Sequence, residues 1–229
     1  MIARARSGSG VAGIAAAVLA TLALAVLTPA PAVSAEGEGA FVSAGLTGGA
    51  ALPDGDLANY RWDTRPNAAW GAIVLAGRGR FAAGARASLW STAQQVTTSP
   101  ARSVSVRNST LEAVGRVTIA RVFGMPVAAG IGAGRLALDY RPASVEVEGA
   151  GVVALEPVRE WMASAGLCVQ RPLAAGWSAG ISLDREFHSL DTAHRRGAEI
   201  VYGRESFGTW NARLELARTF ALHGKGTMR

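Results

Sequence analysis

Three observations predict an all-β chain that closes into an eight-stranded antiparallel up-and-down transmembrane β-barrel behind an export signal. Apolar or small residues recur at every second position over long stretches, which sorts them onto one face of a strand. The connections between these stretches alternate, long after the first, third, fifth and seventh and short after the second, fourth and sixth. An even strand count with that asymmetry suits a barrel with long loops outside and short turns on the periplasmic side. The chain also opens with an address. Arg4 and Arg6 precede an apolar run at residues 11–27 and a small-residue segment, TPAPAVSA, that ends at Ala35. The run is short for a helical span, and the small residues suit cleavage. The expected organisation is a signal peptide at 1–35, a barrel at 36–222 and a C-terminal tail at 223–229.

The elements follow in order. Residues 39–52 (GAFVSAGLTGGAAL) are a small-residue strand broken by Pro53-Asp54-Gly55, and a polar loop is expected to residue 67. Residues 68–77 (AAWGAIVLAG) form the second strand, apolar at every position, so the pattern leaves its phase open. Arg78-Gly79-Arg80 is a tight turn. The third strand, 81–93, sets Phe81, Ala83, Ala85, Ala87 and Leu89 against Gly84, Arg86, Ser88, Trp90 and Thr92. A polar loop is expected over 97–108. The fourth strand, 109–122, sets Leu111, Ala113, Gly115, Val117 and Ile119 against Thr110, Glu112, Arg116 and Thr118.

Phe123-Gly124-Met125-Pro126 turns the chain into the fifth strand, 127–140, where Gly130, Gly132 and Gly134 share a face. Its apolar set shifts phase near Arg135, the pattern a bulge would leave. Residues 141–160 read as a loop with an ambiguous middle, because Pro157 argues against a central ladder position. The sixth strand, 161–171, puts Ala163, Ala165, Leu167 and Val169 on one face. The seventh, 177–188, sets Trp177, Ala179, Ile181 and Leu183 against Ser178, Gly180, Ser182 and Asp184. A polar loop is expected at 189–205. The closing strand, 206–220 (SFGTWNARLELARTF), alternates Trp210, Ala212, Leu214 and Leu216 with Asn211, Arg213 and Glu215.

Composition narrows the function classes. Two of the 23 basic residues fall in the first 35, so the net charge drops from +6 to +4 beyond them; an exported chain of that charge is not expected to bind nucleic acid. Lys225 is the only lysine, and arginine suits paired sites because its fork binds carboxylates bidentately. Cys168 is the only cysteine, which excludes an intrachain disulfide and a thiolate metal cluster. No His/Asp/Glu group has metal-ligand spacing, and Gly130-Ile131-Gly132-Ala133-Gly134 lacks the βαβ context of a nucleotide site. Neither a metal nor a cofactor is expected.

Six charged residues fall on the faces opposite the apolar ones: Arg86, Glu112, Arg116, Asp184, Arg213 and Glu215. An eight-stranded barrel is just wide enough for side chains to fill, and buried charges must pair or stay hydrated. The expectation is an Arg–carboxylate network that closes the lumen; the sharper alternatives are a small pore and a catalytic constellation. Trp161, Trp177, Phe187 and Phe220 lie near strand ends and are expected to form the aromatic girdle at the membrane interfaces. The candidate nucleophilic set is His188, Ser189 and Asp191, with His194 nearby. Adjacent strand residues point to opposite faces, so His188 and Ser189 are expected to diverge, and no enzyme is expected.

The hairpin SAGLCVQRPLAAGWSAGISLDREFH (164–188) and the closing TWNARLELARTF resemble the small eight-stranded outer-membrane β-barrel superfamily, porin-like in fold, in overall pattern from about Gly39 onward. The resemblance implies a place in a Gram-negative-type outer membrane, and Phe220 resembles the terminal aromatic read by the barrel assembly machinery. Some barrels of that kind are lipid A deacylases with a His-x-Ser-Asn motif; here His188-Ser189-Leu190-Asp191 has different spacing and no Asn. The role expected is structural or a surface interaction through the extracellular loops. Outer-membrane lipid and lipopolysaccharide are expected to meet the mixed-to-basic loops holding Arg61, Trp62, Arg65, Arg102 and Arg107, and a monomer is expected. A soluble periplasmic barrel that binds a ligand is the reading outside the membrane.

Overall fold

A computed structural model describes residues 39–96, 103–147, 149, 151–196 and 199–222, without the side chains of 193–200. The expected signal segment, Arg102 and the tail beyond Leu222 lie outside the described residues, as does the side chain of His194. The strands are β1 (Ala40–Pro53), β2 (Asn67–Arg78), β3 (Phe81–Gln95), β4 (Ser103–Val122), β5 (Met125–Arg141), β6 (Ser144–Val147), β7 (Gly151–Ala154), β8 (Val158–Pro172), β9 (Trp177–Arg196) and β10 (Glu199–Leu222). Eight of them close one antiparallel barrel in the order β1-β10-β9-β8-β5-β4-β3-β2. β6 and β7 form a separate hairpin. The first and last strands of the ring pair with each other from Ala40↔Leu222 to Pro53↔Thr209, which leaves the wall no open edge.

The short connections are true turns. Gly79 and Arg80 alone link Arg78 to Phe81. Phe123 and Gly124 link Val122 to Met125 with φ of 51° and 76°, the paired positive angles of a type I′ hairpin turn. At the other end a 3₁₀ turn at Gly55–Tyr60 starts on Asp54, whose carboxylate accepts from the Asp56 amide.

Alternation governs both faces of the wall. Leu46, Val74, Phe81, Leu111, Ile131, Leu167, Leu183 and Leu216, one from each ring strand, point outward and are between 51% and 72% exposed. Arg86, Glu112, Asp184, Glu186, Arg213 and Glu215 point inward and are buried. Through this zone the barrel is apolar outside and charged inside, the arrangement of a wall that faces lipid. β2 takes the phase that the pattern left open, with Ala69, Ile73 and Leu75 inward and Trp70 and Val74 outward.

Four sequence expectations need correction. β4 begins at Ser103, so much of the expected loop at 97–108 is strand. Of the expected loop at 189–205, residues 189–196 and 199–205 are ladder, paired from Ser206↔Ser189 up to Glu199↔Arg196. The 141–160 segment holds the β6–β7 hairpin and the start of β8. β5 does not change phase at Arg135: Gly130, Gly132, Gly134, Leu136 and Leu138 all face in, and Arg135 faces out. The irregularity lies across the ladder in β4, where the register shifts between Thr118 and Ala120. β5 looked out of phase because the lumen itself becomes apolar towards the long loops. There Leu57, Trp62, Val104, Val106, Leu136, Leu138, Val145, Met162, Leu190 and Phe207 pack into a buried apolar cluster. The extra strand length at this end is a barrel extension with an ordinary core, and its outer face is polar.

Candidate functional site

The middle of the lumen is an ionic cluster assembled from opposite walls. Arg86 on β3 donates through Nε to Glu112 Oε1 at 2.6 Å and through Nη1 to Asp184 Oδ1 at 2.9 Å. Arg213 on β10 donates through Nη1 to both oxygens of Asp184, at 2.8 and 3.0 Å, and through Nη2 to Glu186 at 2.9 Å. Asp184 on β9 therefore joins two guanidiniums. Ser164 on β8 donates to Glu112 Oε2 at 2.6 Å. Ser88 and Thr110 share a hydrogen bond of 2.7 Å across β3 and β4. Nearer the short turns, Arg116 on β4 forms a bidentate pair with Glu215 on β10, at 2.9 and 2.5 Å. Gln170 adds a bond to the same carboxylate at 3.3 Å.

Small residues in the wall make room for these groups. A β-carbon on Gly132 would run into Glu112 Oε2 and Ser164 Oγ, and one on Gly166 would lie 2.5 Å from the Asp184 β-carbon. The glycines that share one face of β5 thus sit opposite the bulkiest charges. The free space beside Arg86, Arg116 and Asp184 is about 30 Å³, room for a water or two.

All six charges read from the alternation lie in this lumen, grouped as Arg86–Glu112–Asp184–Arg213 and Arg116–Glu215. Glu186 was missed. It continues the Asp184 face by one step of two, and that step was the available signal. Trp161, Trp177, Phe187 and Phe220 point outward, 66%, 40%, 47% and 49% exposed. Arginines accompany them: Arg135 over Trp161 at 3.9 Å, Arg185 beside Phe187 and Trp210 at 5.5 and 5.3 Å, and Arg218 beside Trp177 and Phe220 at 5.9 and 5.2 Å.

The candidate nucleophilic set is divided by the wall. His188 faces inward and packs near the Phe207 ring, with centroids 6.4 Å apart. Ser189, the adjacent residue, shares a 3.3 Å hydrogen bond with Ser206, and Asp191 is engaged by Arg204 at 3.2 Å. Among the described residues no group of three His, Cys, Asp or Glu side chains is placed to hold a metal ion.

A closed ring of eight antiparallel strands, apolar outside and charged inside, defines the fold class: a small eight-stranded antiparallel up-and-down β-barrel with the polarity of a wall that faces lipid. Solved barrels are similar at low identity. The crystal structure of neisserial surface protein A matches at 7% identity and TM-score 0.44, over 79% of this chain and 97% of that one. The attachment invasion locus protein Ail of Yersinia pestis matches at 15% and 0.41, over 80% and 100%. The N-terminal barrel domain of Pseudomonas aeruginosa OprF matches at 11% and 0.35, over 80% and 99%. No protein-family model matches the chain, and no curated protein matches it.

Proposed function

We propose that this chain is a non-enzymatic outer-membrane barrel with a structural or surface-interaction role carried by its long-loop end. In this reading the short turns face the periplasm and the long loops face outward. The lumen is closed by the Arg86–Asp184–Arg213 cluster, and that cluster is the observation that carries the reading. Three strands contribute one ion-paired knot, and the free space beside Arg86, Arg116 and Asp184 holds only a water or two, which supports a lumen without a continuous ionic path. Separation of His188 from Ser189 by the wall supports the absence of a hydrolytic triad. The outward aromatic residues serve as the interfacial girdle, and the closing strand with Phe220 presents the signal for the assembly machinery. The barrel works as a monomer among outer-membrane lipid and lipopolysaccharide.

The test is conductance in a planar bilayer. The wild-type protein is expected to give no channel steps, and regular steps would overturn the closed-lumen reading in favour of a small pore. Fatty acid released from lipopolysaccharide, and lost in Ser189→Ala, would overturn the non-enzymatic reading. Recovery in the soluble periplasmic fraction would overturn the membrane reading.

A further inference from the structure

The outward charges at the long-loop end are unevenly distributed around the barrel. Among the described side chains of β9 and β10 at this end, Arg185 donates to Asp54 at 3.0 Å, and Arg204 binds both Glu160 and Asp191. On the β4–β5–β8 wall four arginines point outward: Arg107, Arg135, Arg141 and Arg159. The ladder makes them neighbours. Arg107 lies opposite Asp139, Ser105 opposite Arg141 and Leu111 opposite Arg135; Arg159 lies opposite Ala137, and Trp161 opposite Arg135. Asp139 is the one carboxylate on this patch and accepts from Arg159 at 2.7 Å. Among the described residues Arg107, Arg135 and Arg141 have no carboxylate partner, which leaves a surplus of three guanidiniums on adjacent strands.

The height of the patch decides what it meets. Arg135 lies against the Trp161 ring, and below it the same wall is apolar. The next rows are Ala113, Ala133 and Ala163, then Gly115, Ile131 and Ala165, then Val117, Ala129 and Leu167. An open concavity on the neighbouring β2–β5 wall is bordered by Phe81, Ala83, Gly115, Ala129 and Ile131, with Arg78 and Arg116 in its lining. At about 3.3 Å per strand residue, it begins roughly 13 Å below Arg135. A surplus of fork-shaped cations directly over an apolar, small-residue wall matches an amphiphile with a phosphate head and long acyl chains. Guanidinium binds phosphate bidentately.

Resting on the membrane reading above, we infer that the β4–β5–β8 wall is a binding site for a phosphorylated outer-leaflet lipid. Arg107, Arg135, Arg141 and Arg159 hold its phosphates, and the small-residue wall receives its acyl chains.

The test uses the full barrel folded in detergent micelles, titrated with a bis-phosphorylated acylated glucosamine disaccharide and with the same lipid after removal of its phosphates. Wild type is expected to bind the phosphorylated form more than tenfold tighter. The double variant Arg107→Gln/Arg135→Gln is expected to lose most of that preference. Arg185→Gln/Arg204→Gln removes the same charge from the other side and is expected to keep it. Equal loss in both doubles would show general charge attraction and overturn the site. An absent preference in wild type would overturn it too, as would competition by inorganic pyrophosphate at the lipid's own concentration, which marks a soluble-anion site. Heat-modifiable migration of every variant checks folding separately; if wild type lacks it, the membrane reading fails instead. Arg141→Gln/Arg159→Gln, at the outer margin of the patch, gives a second measure should the first double not fold.

Discussion

The two ends of the barrel have opposite polarity. In the belt between the aromatic rows, leucine, valine and alanine point outward while Arg86, Asp184 and Arg213 are sealed within. Towards the long loops Leu136, Leu138, Val106 and Phe207 fill the inside, and Arg159, Asp139 and Arg204 lie outside. The same alternation runs through both zones, because one strand cannot change its pleat without a bulge. What changes is the residue type assigned to each face. In the membrane reading proposed above, the difference marks where the surrounding medium changes from hydrocarbon to water. It also shows two ways to hold the wall shut: an ion-paired knot where the outside is lipid, and an ordinary hydrophobic core where the outside is wet.

The comparison can be broken first at its ionic side. Asp184→Leu removes the acceptor shared by Arg86 and Arg213 and leaves two guanidiniums short of partners. Breaking a buried pair from one side costs about 4 kcal/mol, so unfolding in detergent is expected at much lower urea and temperature. Unchanged resistance to heat would mean that the knot is dispensable. Arg116→Leu takes the guanidinium from Glu215 and leaves it the Gln170 amide, while Glu112 is still held by Arg86. That remaining hydrogen bond softens the loss, so about 3 kcal/mol is expected, read from the same unfolding curves.

The apolar side is broken by Leu138→Ala, which empties part of the upper cluster. About 2–3 kcal/mol is expected, and the loss should appear as faster amide exchange and proteolysis at the long-loop end while the belt stays protected. Exchange that rises equally in both zones would show one cooperative unit. The smallest effect belongs to the boundary. Trp210→Leu keeps an apolar contact with lipid and removes the Arg185 face, for about 0.5–1 kcal/mol, measured by the midpoint of urea unfolding in vesicles.

Much of this was legible in the chain. Phe81–Leu89 against Arg86, and Leu111–Val117 against Glu112 and Arg116, alternate so cleanly that strand, phase and inward charge follow together. Legibility failed where the medium changes. Residues 103–108, 189–196 and 199–205 look like loops because most of their outward positions are polar, yet they are ladder. A lipid-facing pattern was the criterion, and those rows stand outside the lipid. Leu136 and Leu138 looked like a phase shift for the same reason. Glu186 is harder to read although it lies inside the expected strand 177–188, because the apolar alternation stops at Leu183 and the next outward position is Arg185.

The sequence alone determined the eight strands of the ring, their up-and-down order, the turns at Gly79 and Phe123-Gly124, and six of the inward charges. These are local properties, set by a period of two and by residues that tolerate tight turns. Only the closed structure decided which charges pair. Arg86 lies opposite Glu112 in the ladder, but its second carboxylate, Asp184, comes from across the lumen. Arg213 is next to neither in sequence, and Arg116 meets Glu215 only because the ring closes. The same closure gathers four arginines from β4, β5 and β8 onto one wall. Pairing across a lumen, and clustering on a wall, depend on curvature and register, which no single strand carries.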